Sequence, residues 1–211
     1  EAQVEIDASR EGIRASLLTS VQTKTGAMTR VLEHASVTFE QTGELPEPSL
    51  TCRAARKLEW TCINVPARSV YRELIPFGGS YRNITGDLSV AKDGVLADIS
   101  GGMQEDALLG SPFALDAVMH AACVWGQRFT GTVPFPVGMD HRVIYRPTRK
   151  GASYLGRVTP VDVSREPFIF NAWIFDSDGI ICESITGLRM RDVTQGRMKP
   201  PGWIKDEAWK T

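Results

Sequence analysis

The sequence predicts an α+β fold in which an antiparallel sheet wraps a single central helix. Three observations carry this. Ser111–Phe129 (SPFALDAVMHAACVWGQRF) is apolar on nearly every face, the mark of a helix buried among other elements. Runs with strand character lie on both sides of it, separated by turn residues. The chain also has 211 residues, 42% of them apolar, enough to close a proper core.

Taken in order, Gln3–Ala8 alternates and reads as a strand. Gly12 turns the chain into Ile13–Thr23, and Gly26 marks a second turn before the long strand Met28–Gln41. The polar, proline-containing stretch TGELPEP (Thr42–Pro48) ends this meander. Residues 1–48 thus form one unit and 49–68 a crossover, in which Arg53–Trp60 reads as a short helix or an irregular segment. A second unit covers 69–193. Val70–Ile75 is a short helix and Phe77–Ser80 a turn. Tyr81–Val90 and Val95–Ser100 are strands joined around Asp93–Gly94, a hairpin signal. The central helix spans 112–129, with Ser111 as N-cap and Pro112 at its first position. Phe135–Gly138, Val143–Arg146, Gly151–Val161, Phe168–Asp176 and Ile180–Arg191 are extended, with a tight turn at Ser177–Gly179. Residues 194–211 read as an exit segment that lays Trp203 and Trp209 on the surface. Strands, one long helix and more strands make the hot-dog arrangement. The opening meander looks like the closing strands of a similar unit without its helix, so the chain reads as a double hot-dog with its first half incomplete.

Charge and composition narrow the function. A net charge of -1 argues against nucleic acid as the main ligand, which needs a concentrated basic patch. No apolar run reaches the roughly 20 residues of a membrane span, and no secretory signal opens the chain. The four cysteines, Cys52, Cys62, Cys123 and Cys182, have no metal-ligand spacing. They read as buried free thiols of a reducing, cytoplasmic compartment, with a Cys52–Cys62 disulfide as the alternative.

Asp116 and His120 interrupt the apolar helix one turn apart and share a face. Burial pushes a carboxyl's pKa upward, which suits a general acid. The structural alternatives are a carboxyl capped by backbone donors or paired with an arginine, and a plain Asp–His pair. Gly78 and Gly79 would let backbone approach a ligand or offer an N–H to an oxyanion, and equally make a simple turn. Tyr81 and Phe135 suit a core as well as a pocket. Val137 and Gly138 suit an acyl tunnel or an ordinary strand start. His34 reads as structural and His141 as exposed. No G-x-S-x-G elbow supports a serine hydrolase.

GSPFALDAVMH (Gly110–His120) resembles the helix motif of polyketide synthase dehydratase domains: His-Pro, three residues, Asp, three residues, Gln or His. Pro112, Asp116 and His120 match it, and Ser111 replaces the leading His. Other segments are similar in the family's order. Tyr71 with FGGSYRNI resembles its Tyr and Gly-Pro-x-Phe stretch, with Gly79 for the proline. FPVGMDHRVIYRP, containing Pro136, resembles its Leu-Pro-x strand, and FDSDGIICESITGLRMRDV its last hairpin. TRVLEHASVTFEQ looks like the end of its first hot-dog, so the resemblance covers about residues 1–193.

The resemblance implies removal of water from a 3-hydroxyacyl thioester, giving an enoyl thioester in polyketide or fatty-acid-like synthesis. It makes Asp116 the acid that protonates the leaving hydroxyl, and His120 its orienting neighbour. It places Gly78, Gly79, Tyr81, Pro136, Val137 and Gly138 at the substrate. The partner it implies is an acyl carrier protein or carrier domain, beside other synthase domains and with a homodimer in prospect. No metal or protein cofactor is implied, because the phosphopantetheine arm belongs to the substrate. The family's base, a His in a His-x-x-x-Gly-x-x-x-x-Pro motif, has no counterpart among His34, His120 and His141. The alternative is a non-catalytic, thioester-binding or product-shaping hot-dog domain.

Overall fold

Alternation in the first forty residues builds a three-stranded antiparallel sheet of β1 (Ala2–Ala8), β2 (Gly12–Gln22) and β3 (Thr29–Glu40). The structure, a computed structural model, describes residues 2–10, 12–22, 29–40, 43–104 and 107–206. The chain divides into two compact units, Glu1–Pro46 and Glu47–Thr211. In the first, Gly12 enters β2 at φ +146°, where a Cβ would stand 2.1 Å from the Phe39 carbonyl oxygen. Pairing sets Val4 opposite Leu17 and Ala35, Ile6 opposite Ala15 and Val37, and Ala8 opposite Ile13 and Phe39. Opposed residues share a face, so these rows give one face of the sheet an apolar stretch, which ends at Thr19 and Arg30. The other carries Glu5, Asp7, Ser16 and the Arg14–Glu33 ion pair. His34 is the extra residue of a bulge between Glu33 and Ala35, and its Nε2 lies 2.6 Å from the Thr19 hydroxyl. The turn expected at Gly26 lies outside the described residues.

The second unit begins with a short helix α1 (Cys52–Ala55), capped by the Thr51 hydroxyl, and the edge strand β4 (Ile63–Val65). Next come α2 (Ala67–Ser69), a π-helical turn Val70–Leu74 and a 3-10 turn Gly79–Tyr81. β5 (Leu88–Ala91) and β6 (Gly94–Ser100) form the hairpin before the central helix α3 (Pro112–Phe129). β7 (Phe135–Gly138), β8 (His141–Ile144), β9 (Ser153–Asp162), β10 (Phe168–Asp176) and β11 (Ile181–Arg191) complete the element order. The antiparallel sheet runs β4-β5-β6-β9-β10-β11-β7, with β8 also on β11.

α3 packs on β6, β9 and β10 through small residues. Ala114, Ala117, Val118, Ala122 and Val124 are fully buried, and β9 meets them with Gly156. A Cβ on Gly156 would come within 2.8 Å of Val118 Cγ1, so the close helix–sheet approach depends on that glycine. Trp125 lies near the C-terminal end of the helix. Its indole N–H donates to the Ala91 carbonyl at 2.9 Å, and its ring stands edge-on to Phe170 at 5.5 Å.

The structure corrects the sequence reading in four places. Tyr81–Val90 is not one strand. Only Leu88–Ala91 is a continuous strand; ahead of it Ile84 makes a single isolated bridge to Ile99, in an irregular path where the Asn83 and Thr85 side chains donate to the Ser80 and Asp98 carbonyls. The three-residue β4 is an unforeseen strand inside the crossover. The tail does not simply exit: Gly202–Lys205 forms a 3-10 turn against α3, Ile204 is fully buried, and Trp203 donates its indole N–H to Glu73. Trp209 lies outside the described residues. All four thiols are free, but only Cys123 and Cys182 are buried. Cys62 is exposed and Cys52 half-buried.

Candidate active site

The site grows from the start of α3. Ser111 is the N-cap, its hydroxyl oxygen accepting from the Phe113 amide at 3.3 Å and its hydroxyl proton donated to the Gly101 carbonyl. Pro112 fills the first helical position, where an N–H would have no partner. The small apolar residues of the helix face the sheet, which turns Asp116 and His120 together to one side.

Asp116 Oδ2 and His120 Nε2 stand 3.4 Å apart, close but not aligned for a hydrogen bond. Oδ2 and both His120 ring nitrogens are shut off from solvent and bond no described residue. The His120 side chain is only 5% exposed, whereas that of Asp116 is 30% exposed. Oδ1 is therefore the carboxyl oxygen that faces outward. The imidazole is held between the rings of Tyr71 and Phe77, at centroid distances of 5.8 and 5.2 Å.

Burial moves both groups toward neutrality. Desolvation raises Asp116 to about 6 and lowers His120 to about 4. Tyr71 is likewise pushed up to about 12, first by burial, and its hydroxyl oxygen accepts the Ile84 amide at 2.8 Å. Near neutral pH the pair is a neutral imidazole beside a carboxyl close to its titration point. A carboxyl so poised exchanges a proton with a bound group efficiently. The ring nitrogens of His120 are enclosed, and Nε2 lies beside Asp116 Oδ2, where it can influence the orientation of the carboxyl.

An aromatic row connects this pair to the glycine turn. Phe77 lies 6.2 Å from Tyr81, and Tyr81 lies 6.0 Å from Phe113 on the first turn of α3. Gly78 and Gly79 are exposed, a Cβ on either would meet nothing within 4 Å, and their N–H groups donate to no described residue. Phe77 thus links the glycine turn and Tyr81 to His120. Pro136, Val137 and Gly138 sit on β7 at the sheet edge, paired with β11, and no hydrogen bond, ion pair or ring contact links them to the Asp116–His120 pair. Phe77, the ring nearest His120, was not foreseen. The only signal for it in the sequence is its place directly before Gly78.

A small polar cavity of about 210 Å³ opens beyond the Gly79 turn, lined by Ser80, Arg82, Asn83 and Thr85 among others. Neither Asp116 nor His120 lines it. Among the described residues no cluster of three His, Cys, Asp or Glu side chains forms a metal site. Among the described residues, likewise, no helix is long and apolar enough to cross a membrane.

Residues 68–200 match the family described as polyketide synthase dehydratase N-terminal domain. A search of curated protein sequences finds no match. Among solved structures, the dehydratase domain of RzxB from Pseudomonas fluorescens is 17% identical with a TM-score of 0.59, over 89% of this chain and 67% of that one. The CurK dehydratase, in an Asp-to-Asn inactive mutant, is 16% identical with a TM-score of 0.62, over 90% and 66%. The pyran synthase domain from module nine of the sorangicin pathway is 17% identical with a TM-score of 0.60, over 88% and 68%. The chain thus spans about two thirds of the length of these domains and shares their hot-dog fold.

Proposed function

Because the chain belongs to the polyketide synthase dehydratase family, we propose that it supplies the acid half of a dehydratase acting on 3-hydroxyacyl thioesters carried by an acyl carrier protein or carrier domain. The observation that carries this reading is Asp116, raised to about 6 by burial, with Oδ1 outward and Oδ2 turned to a neutral imidazole.

In the reaction a base takes the proton on Cα, and the electron pair of that C–H bond becomes the new C=C bond. The bond from Cβ to its hydroxyl breaks. Asp116 Oδ1 gives its proton to the departing oxygen, which leaves as water. His120, 3.4 Å from Oδ2, would orient the carboxyl and favour the proton on Oδ1. The Gly78 and Gly79 amides are placed to bind the thioester oxygen as charge builds on it, with Tyr81 beside the acyl chain. Pro136, Val137 and Gly138 would serve a more distant part of the chain.

The base comes from another segment. The ring nitrogens of His120 are enclosed, and His34 and His141 are exposed residues with no contact to Asp116. We assign it to a histidine of the first hot-dog, of which β1–β3 are the closing strands. Their apolar face is the kind of surface on which a hot-dog seats its helix. The CurK dehydratase supports a two-residue site, since both its Asp-to-Asn and its His-to-Phe mutants are described as inactive. The enzyme would work in the cytoplasm, beside the other domains of its synthase. The second reading, a non-catalytic thioester-binding domain, is favoured by one observation: the histidine beside Asp116, His120, has both ring nitrogens enclosed.

The test is turnover of a 3-hydroxyacyl carrier substrate by this chain extended at its N-terminus, beside the same protein with Asp116→Asn. Loss of turnover in the variant supports the acid role. An inert extended protein would favour the binding domain.

A further inference from the structure

A buried polar chain leads from the sheet to the first turn of α3. Glu183 on β11 is fully buried, and Arg142 on β8 donates its Nε–H to Glu183 Oε2 at 2.7 Å. The other carboxylate oxygen, Oε1, lies 3.3 Å from the hydroxyl of Thr148, which is also fully buried. Thr148 donates that hydroxyl to the Ser111 carbonyl at 2.9 Å, and the Thr148 carbonyl accepts the Ser111 amide at 2.8 Å. From the other side, the Gly101 carbonyl accepts the Ser111 hydroxyl. Gly110, just before the cap, adopts φ +85°, and a Cβ there would come within 2.7 Å of the Thr148 nitrogen. These groups converge on the residue that starts the helix.

A buried ion pair is weak evidence for stability, because desolvation offsets much of its attraction. Here its geometry has another consequence. The single Thr148 hydroxyl proton is shared between two acceptors, so the carboxylate, the threonine and the helix cap hold one another in register. None of the three clamp residues touches Asp116. The groups that face it are His120 on the same helix and Tyr71 on the π-helical turn.

We propose that Arg142, Glu183 and Thr148 are positioning residues: they fix the start of α3 and thereby the placement of Asp116 Oδ1. The proposal rests on the reading of Asp116 as general acid. Asp116 stands five residues beyond Ser111, about 7.5 Å along the axis, within a rigid helix. A displacement at the cap is therefore passed on undiminished, and a 1 Å misplacement can cost about 10²-fold in rate.

The test uses Thr148→Val, which keeps the volume and removes the hydroxyl, and Thr148→Ser, which restores it. Two quantities are read: the titration of the Asp116 carboxyl by ¹³C NMR, which needs no turnover, and kcat and KM of the N-terminally extended protein on the 3-hydroxyacyl carrier substrate. Thr148→Val is expected to admit water to Oδ2, moving the Asp116 midpoint down from about 6 by a full pH unit. The expected kcat loss is about 10–100-fold with KM unchanged, and Thr148→Ser recovers both. Should Thr148→Val not fold, Glu183→Gln gives the same readouts with the side-chain volume kept. A lower melting temperature with the midpoint and kcat of wild type would overturn the proposal. A moved midpoint in a protein whose turnover ignores Asp116→Asn would keep the positioning role and defeat the acid role instead.

Discussion

Replacing Asp116 by Asn isolates two buried groups whose effects on stability oppose each other. Asp116 titrates near 6 in the folded protein against an ordinary value of 3.8, because burial penalises its anion. The fold therefore prefers the protonated acid. Stability from this group is full below pH 3.8 and is lost as the pH rises to about 6, a span of about 3 kcal/mol at 1.36 kcal/mol per unit. His120 runs the other way. Its folded value of about 4 lies below its ordinary 6.5, so its stability is full above pH 6.5 and is lost as the pH falls to about 4, again about 3 kcal/mol. In the wild type the two slopes nearly offset between pH 4 and 6.5. Asp116→Asn removes the cost of a buried anion and leaves the His120 slope alone. The variant is expected to gain up to about 3 kcal/mol at pH 7 and to lose it on acidification. Urea unfolding followed by tryptophan fluorescence from pH 4 to 7.5 reads this directly, since all five tryptophans lie in the second unit. A variant no more stable than wild type at pH 7, or one with a flat profile, refutes the desolvation argument.

Three further substitutions probe the frame around the site. Gly156→Val drives a side chain into Val118, which stands 2.8 Å from the Cβ position; thermal melting should show a loss of about 1–3 kcal/mol. Phe170→Ala empties a fully buried site against Trp125, with an expected cost of about 3–5 kcal/mol in urea unfolding. Arg142→Ala strands the buried Glu183 carboxylate and should cost about 3–5 kcal/mol; a loss below about 1 kcal/mol would mean that water takes the place of the guanidinium.

The helix was legible in the sequence because its signals are local: a serine cap, a proline at the first position and apolar residues all round. Strands β10 and β11 were legible for the same reason, as runs of β-formers around a tight turn. The irregular path from Tyr81 to Asp87 was not. Its alternation resembles a strand, and what limits pairing to the one bridge at Ile84 is a set of tertiary bonds, such as the Ile84 amide to the Tyr71 hydroxyl. The return of the tail depends on Ile204 finding a buried place beside α3, to which its sequence position gives no clue. Asp116 and His120 stood out as charges in an apolar helix. Phe77, Thr148 and Glu183 did not, because each acts across a separation of many residues: Thr148 and Glu183 are 35 apart along the chain.

The central claim is that Asp116 is the acid of a dehydratase whose base lies on another segment. The most direct measurement is formation of the enoyl thioester from a 3-hydroxyacyl carrier substrate by the N-terminally extended protein, with and without Asp116→Asn. The account predicts turnover that the substitution lowers by about 10²-fold or more. Equal rates for the two proteins would contradict it.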